Sequence, residues 1–113
     1  MTTYKMFNWT LYEIPTDGLP GSTTFHVVGG EDIMGGRTSS PVRRIHLSED
    51  EREWTFITLS GNKYVCKAIS EGSTSSNAEY VFGLWCIRNG VPRGAPKIIS
   101  AKTAYEYLSE ERY

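Results

Sequence analysis

Alternation of hydrophobic and polar positions predicts that the chain begins with β-structure. Phe7, Trp9 and Leu11 alternate with more polar residues, in a run rich in aromatic side chains that is typical of a half-buried strand. We expect these three side chains to face the core. A second β-rich run covers residues 23–28, and turn-forming residues within 15–21 separate the two runs. The first two strands are therefore predicted to be antiparallel neighbours.

Three further strands are predicted in the middle of the chain. They cover residues 42–47, 54–59 and 63–69, which are rich in β-branched and aromatic side chains. The last two flank Ser60-Gly61-Asn62, a sequence typical of a β-hairpin turn. Both faces of this hairpin carry apolar residues, so we expect it to lie centrally in the sheet. Four glycines between residues 29 and 41 predict an exposed connection before these strands.

Apolar residues at three- and four-residue spacing predict a main helix of about 77–89. The sequence Ser76-Asn77-Ala78-Glu79 has the form of a capping box at the start of this helix. A short C-terminal helix of about 101–109 is predicted after Ser100, which is a favourable N-cap residue. Residues 98–99 are predicted to add a short edge strand before it.

Five strands followed by two helices predict an α+β fold, with the helices on one face or end of a five-stranded antiparallel sheet. An open sheet and a sheet curled into a small SH3-like or OB-like barrel are both compatible with this pattern. The length of 113 residues is that of one ordinary domain, so residues 1–113 are predicted to form a single domain.

Composition narrows the class of protein. With 39% hydrophobic and 22% charged residues, the chain resembles a globular domain and differs from a disordered segment. Two cysteines are too few for a disulfide framework, which favours reduced thiols. No stretch approaches eighteen apolar residues and the first residues do not resemble a leader peptide. We therefore expect a cytoplasmic protein with no membrane partner.

Motifs of enzymes are missing from the sequence, which contains no nucleophile elbow, phosphate loop, zinc-protease motif or calcium loop. His26 and His46 lie on different predicted strands without a metal-ligand spacing, so we interpret them as half-exposed strand residues. Cys66 and Cys86 are interpreted as small core residues, although a Cys/His nucleophilic pair is the alternative. The sequence thus predicts no catalytic residue, no metal and no cofactor.

Charge is patterned along the chain, although its formal net value is only −1. Residues 37–47 and 80–102 are rich in cations, and the segment 48–53 between them is acidic. Exposed tyrosines beside arginines are typical of binding surfaces, and the C-terminal helix is too short to bury all of its tyrosines. The candidate binding residues are Arg37, Arg43, Arg44, Arg88, Arg93, Tyr105 and Tyr107.

Three segments within residues 36–90 form a recognisable pattern: Gly36-Arg37-Thr38-Ser39-Ser40-Pro41-Val42, Thr58-Leu59-Ser60-Gly61-Asn62-Lys63-Tyr64, and Ala78-Glu79-Tyr80-Val81 with Trp85-Cys86 and Asn89-Gly90. They resemble a group of small bacterial and prophage-associated proteins to which no activity is assigned. The resemblance implies a β-rich core, a serine-glycine hairpin, one helix and a mobile-element setting, and it transfers no catalytic residue.

These observations favour a non-enzymatic macromolecular interaction module of bacterial or phage origin that binds a protein partner. A phage-encoded inhibitor that binds and blocks a host defence complex is one concrete form of this hypothesis. The alternative is a small β-barrel nucleic-acid-binding protein that places the same arginines on phosphates. A homodimer formed through a free edge strand is also compatible with the sequence.

Overall fold

The structure is a computed structural model that describes residues 1–15 and 22–110; the predicted turn at residues 16–21 lies outside them. Within the described residues the fold is α+β, with two α-helices and eight strands in two four-stranded sheets. The strands are β1 Thr3–Met6, β2 Asn8–Pro15, β3 Thr23–Gly30, β4 Arg37–Thr38, β5 Val42–Leu47, β6 Glu53–Thr58, β7 Lys63–Lys67 and β8 Lys97–Ile98, and the helices are α1 Ser76–Arg88 and α2 Ala101–Glu110.

The first sheet has the strand order β1-β7-β6-β5, with β1 parallel to β7 and the other pairs antiparallel. The second sheet has the order β4-β3-β2-β8 and is antiparallel throughout. Neither sheet closes into a barrel within the described residues. The predicted α+β class and both helices are confirmed, and the strands are shared between two open sheets instead of forming one.

The chain changes sheets at Phe7, which explains this division. Phe7 lies between β1 and β2, is 63% exposed, and donates its backbone N–H to the Gly30 carbonyl at 2.8 Å. Trp9 and Leu11 are fully buried as predicted, but the prediction that Phe7 faces the core is wrong. The alternating run at the start of the chain therefore belongs to two strands, each with its own inward face.

The two sheets share one core, in which Trp9 of the second sheet packs on Phe56 of the first with ring centroids 5.5 Å apart. The Trp9 indole Nε1–H also donates to the Lys67 carbonyl at 2.9 Å, so a hydrogen bond joins the sheets. Helix α2 contributes Ala101 and Ala104, both fully buried, and it lies against β5.

Helix α1 packs on the opposite face of the second sheet. There Phe82 joins a small cluster with Ile14 and Val28, and its ring lies 4.5 Å from that of Tyr12. The molecule thus has three layers in the order first sheet, second sheet and α1. This order places the outer face of the first sheet and the outer face of α1 on opposite sides of the molecule.

The predicted helices begin and end within one residue of the observed bounds, but the cap of α1 differs. The Ser75 hydroxyl, rather than that of Ser76, accepts the Ala78 N–H at 3.1 Å. The Glu79 carboxylate accepts a hydrogen bond from the Tyr12 hydroxyl at 2.9 Å. The capping-box prediction is therefore wrong by one residue, because packing on β2 engages the glutamate. At the start of α2, the Ser100 hydroxyl accepts the Thr103 N–H as expected for a cap.

The connection before β5 is more ordered than its glycines predict. Arg37 and Thr38 form β4, which pairs with Gly29 and Val28. Ser39 is only 1% exposed, and its hydroxyl accepts the backbone N–H of Val27 at 2.9 Å. The exposed part is therefore limited mainly to residues 31–36.

Candidate binding surface

The outer face of the first sheet is the candidate binding surface. Successive side chains of a strand point to opposite faces, so the burial of Tyr64 and Cys66 in β7 turns its odd-numbered residues outward. The same alternation in β6 buries Trp54 and Phe56 and turns Ile57 outward. The outward positions are all exposed or half-buried.

Four cations lie on this outer face. Strand register places Lys63 beside Ile57, and Ile57 beside Arg44. Because neighbouring strands are about 4.8 Å apart, Lys63 and Arg44 are roughly 10 Å apart across the sheet. We call this surface the cationic face, and its cations are Lys5, Arg44, Lys63 and Lys67.

The centre of the cationic face is less polar than its borders. Val65, Thr55 and Ile57 are half-buried there, between the lysines of β1 and β7 and the arginine of β5. Glu53 stands opposite Lys67 at one end, and the acidic residues 49–51 continue beyond it. The surface therefore has a less polar centre that lies between cations, and acidic residues border it at one end.

The structure brings Arg44 and Tyr105, two of the predicted binding residues, to one cleft. This cleft has a volume of about 430 Å³, lies between β5 and α2, and is also lined by His46 and Leu108. Tyr105 is 40% exposed, and its ring lies 6.0 Å from that of Trp54. An aromatic side chain and a cation thus lie together at the border of the cationic face.

Arg37 and Arg43 lie in different surroundings. Arg43 is exposed on β5, where the pairing with β6 shifts register between Val42 and Arg44. The guanidinium of Arg37 lies 4.1 Å from the centroid of the Tyr4 ring, so a cation–π contact joins β4 of the second sheet to β1 of the first. Arg37 therefore has a structural contact between the sheets.

The remaining predicted residues lie away from the cationic face. Arg88 and Arg93 are exposed at the end of α1 and in the following loop, on the other side of the second sheet. Tyr107 is half-buried and packs edge-on against Phe25 with ring centroids 5.4 Å apart. The structure does not bring the five predicted arginines together in one patch, and it places Tyr107 against the core.

The two histidines differ from their predicted half-exposed state. His26 is 3% exposed, with its ring nitrogens 2.8 Å from the Thr24 hydroxyl and 2.9 Å from the Ser39 carbonyl. Burial lowers the pKa of His26 because it disfavours the charged imidazolium. His46 is exposed and lines the cleft beside Tyr105.

The thiols lie in surroundings that oppose nucleophilic chemistry. Cys66 is fully buried and Cys86 is half-buried, and burial raises the pKa of both. Since the thiolate is the nucleophile, a raised pKa lowers the reactive fraction. Within residues 1–15 and 22–110, no group of three His, Cys, Asp or Glu residues is placed to hold a metal ion.

The lysines of the cationic face were missed by sequence reasoning, although the pattern that reveals them is local. Lys63 and Lys67 alternate with Tyr64 and Cys66, so one inward face implies an outward cationic face. The apolar residues on both faces of the hairpin instead favoured a central position in the sheet, and this consequence was not drawn. Lys5 lies on the cationic face because β1 pairs in parallel with β7, and no local pattern in the sequence indicates this pairing.

No family model matches the chain, and searches of curated proteins and of solved structures also find no significant match. Neither described helix has the length and apolar character needed to cross a membrane. The functional argument therefore depends on the surfaces of this chain.

Proposed function

We propose that the protein is a non-enzymatic interaction module whose cationic face binds an acidic surface of a partner protein. The observation that carries the proposal is the collection of four cations on one sheet face, in a chain with a formal net charge of −1. A local field of this kind attracts and orients an acidic partner even when the whole molecule is nearly neutral.

The composition of the face favours a protein over nucleic acid. Protein interfaces combine an apolar centre with a polar border, as Val65 and Ile57 do between the surrounding cations. Sheets that bind single-stranded nucleic acid present several aromatic side chains for base stacking, whereas the described outward residues of β1, β5, β6 and β7 include no Phe, Tyr or Trp and only one imidazole, that of His46. Tyr105 lies only at the border.

A phage-encoded inhibitor that blocks a host defence complex is one form of this proposal. That setting is implied only by the resemblance of residues 36–90 to prophage-associated proteins, and no family model or curated protein match adds to it. Blocking needs a surface and no catalytic group; the buried thiol of Cys66, the half-buried thiol of Cys86 and the hydrogen-bonded imidazole of His26 are in keeping with such a role.

A charge-reversal experiment tests the proposal. The double variant Lys5→Glu and Arg44→Glu changes two exposed cations of the face, and Lys97→Glu with Lys102→Glu makes the same charge change on other elements. Each is immobilised beside the native chain, exposed to nuclease-treated bacterial lysate, and the retained proteins are identified by mass spectrometry. We expect one protein to bind the native chain and the control, and to bind the face variant at least tenfold more weakly in a titration.

Two outcomes would overturn the proposal. Retention of the same proteins by all three chains would show that the cationic face is not the binding surface. Protein retained from untreated lysate but none from nuclease-treated lysate, together with tight binding to a labelled 20-base-pair DNA whose affinity falls linearly in log–log form with salt, would establish the nucleic-acid alternative. Circular dichroism of each variant verifies that the fold is kept.

A further inference from the structure

A second surface lies on the outer side of α1, away from the second sheet. Tyr80, Leu84 and Ile87 are 66%, 41% and 79% exposed, and their spacing of four and three residues places them in one stripe. The opposite side of the helix carries Ala78 and Phe82, which are buried. Helix α1 is therefore apolar on both sides, although residues 1–15 and 22–110 cover only one of them.

The stripe has room for a second helix. Gly83 lies within it, and apart from its chain neighbours and the backbone of α1 itself, no atom of the described residues lies within 4 Å of the position that a Cβ would occupy there. Beside it, α1 and the loop of residues 91–96 enclose a groove of about 490 Å³. A glycine in an open stripe lets another helix pack closely, because no side chain holds the axes apart.

Charges at the two ends of the stripe are opposite in sign. Near the start of α1, Asn77 donates a side-chain hydrogen bond to the Met34 carbonyl, which holds the loop containing Glu31 and Asp32 against the helix. Arg88 follows Asn77 by three helical turns and thus lies on the same flank at the other end. One flank of α1 therefore runs from acidic to basic.

The other flank has the same polarity. Glu79 lies on it near the start of the helix, and Arg93 lines the groove beside Cys86 at the far end. A partner must therefore be apolar in the middle, basic opposite the start of α1 and acidic opposite its end. A second copy of α1 in the reverse direction meets all three conditions.

From this complementarity we infer that two copies of the chain pair through α1, antiparallel about a two-fold axis near Gly83. In such an isologous interface each flank meets the same flank of the other copy in the reverse direction. Arg88 of one copy approaches Glu31 and Asp32 of the other, and Arg93 approaches Glu79. A parallel pairing would place like charges together at both ends.

This interface differs from the cationic face and from the edge-strand pairing compatible with the sequence. One helix face and its flanking loops form a small interface, below the approximately 800 Å² per partner of a standard stable complex. We therefore expect a dissociation constant in the micromolar range or weaker. Strand pairing would instead leave Leu84 and Ile87 exposed in both copies.

Sedimentation velocity over a range of concentrations tests the inference. The average mass of the native chain is expected to rise from that of one copy toward that of two. Leu84→Glu places a charge within the stripe at a position that is already 41% exposed, and should weaken association at least tenfold. Ile69→Glu makes a similar change at a 93% exposed position after β7, and should have no effect.

Charge exchange tests the antiparallel arrangement itself. Arg88→Glu and Glu31→Lys should each weaken self-association severalfold, whereas an equimolar mixture of the two variants should associate as strongly as the native chain. The pairing would be overturned by a native chain that stays monomeric up to about 1 mM, by a Leu84→Glu variant that still dimerises, or by a mixture that shows no recovery. If the native chain still retained a partner through the cationic face in the lysate experiment, the proposed function would hold even though the α1 pairing was overturned.

Discussion

The buried side chain of His26 makes the stability of the fold depend on pH. A carbonyl can only accept, so His26 Nδ1–H donates to Ser39 and the neutral Nε2 accepts the Thr24 hydroxyl. Trp85 covers the imidazole with ring centroids 5.0 Å apart. These contacts satisfy the neutral ring, and burial lowers the pKa of His26 from the ordinary value of 6.5.

The lowered pKa predicts a loss of stability on acidification. Below about pH 6.5 the unfolded chain binds a proton at His26 that the folded chain does not bind, so the free energy of unfolding falls by up to about 1.4 kcal/mol per pH unit. Urea unfolding at pH 7.5 and 5.5 should show a larger loss for the native chain than for His26→Asn. An equal loss in the two proteins would contradict this account, because all other titrating groups are common to both.

The cap of α1 predicts different effects for two adjacent serines. Ser75→Ala removes the hydroxyl that accepts the Ala78 N–H and should lower the free energy of unfolding by about 1 kcal/mol. Ser76→Ala lies inside the helix, where alanine is favourable, and should change it by no more than a few tenths of a kcal/mol. Thermal unfolding followed by circular dichroism measures both. The reverse order would place the cap at Ser76, as the capping-box pattern predicts.

The elements that could be predicted from the sequence are those that local patterns determine. The hairpin of β6 and β7 follows from two β-rich runs around Ser60-Gly61-Asn62, and both helices follow from their spacing and from Ser100. The change of sheet at Phe7 was not predictable, because a continuous alternating run does not show that its halves pair with different strands. The burial of His26 likewise depends on α1 covering the second sheet.

The sequence predicted those residues of the candidate surface that could be identified from a single strand or helix. Arg44 was identified from its own strand, and Tyr105 from the excess of tyrosines on a short helix. Their meeting in one cleft depends on the packing of α2 against β5. Lys5 and Lys63 come together because β1 pairs in parallel with β7, whose residues lie about sixty positions later in the chain. Neither the composition nor the local spacing of residues predicts this pairing.

Because the Trp9 indole joins the two sheets, substitution of Trp9 should lower the free energy of unfolding more than the same substitution of Trp54. Trp9→Phe leaves the Lys67 carbonyl without its indole donor and leaves a void in the shared core, so the free energy of unfolding should fall by about 2–3 kcal/mol. Trp54→Phe removes the same atoms from a residue that is 7% exposed, without a hydrogen bond to the second sheet, and should cost less. Denaturant unfolding compares the variants, and equal losses would show that this bond contributes nothing.

The order of the three layers determines how many partners a dimer of this chain could bind at once, and in which directions. The cationic face and the outer side of α1 are on opposite sides of the molecule, so two copies joined through α1 as proposed would present their cationic faces in opposite directions. If both proposals hold, such a dimer could not place both faces on one flat surface and would bridge two separate acidic partners. The concentration of the chain would then decide the outcome, because single copies would cover individual partners whereas dimers would crosslink them.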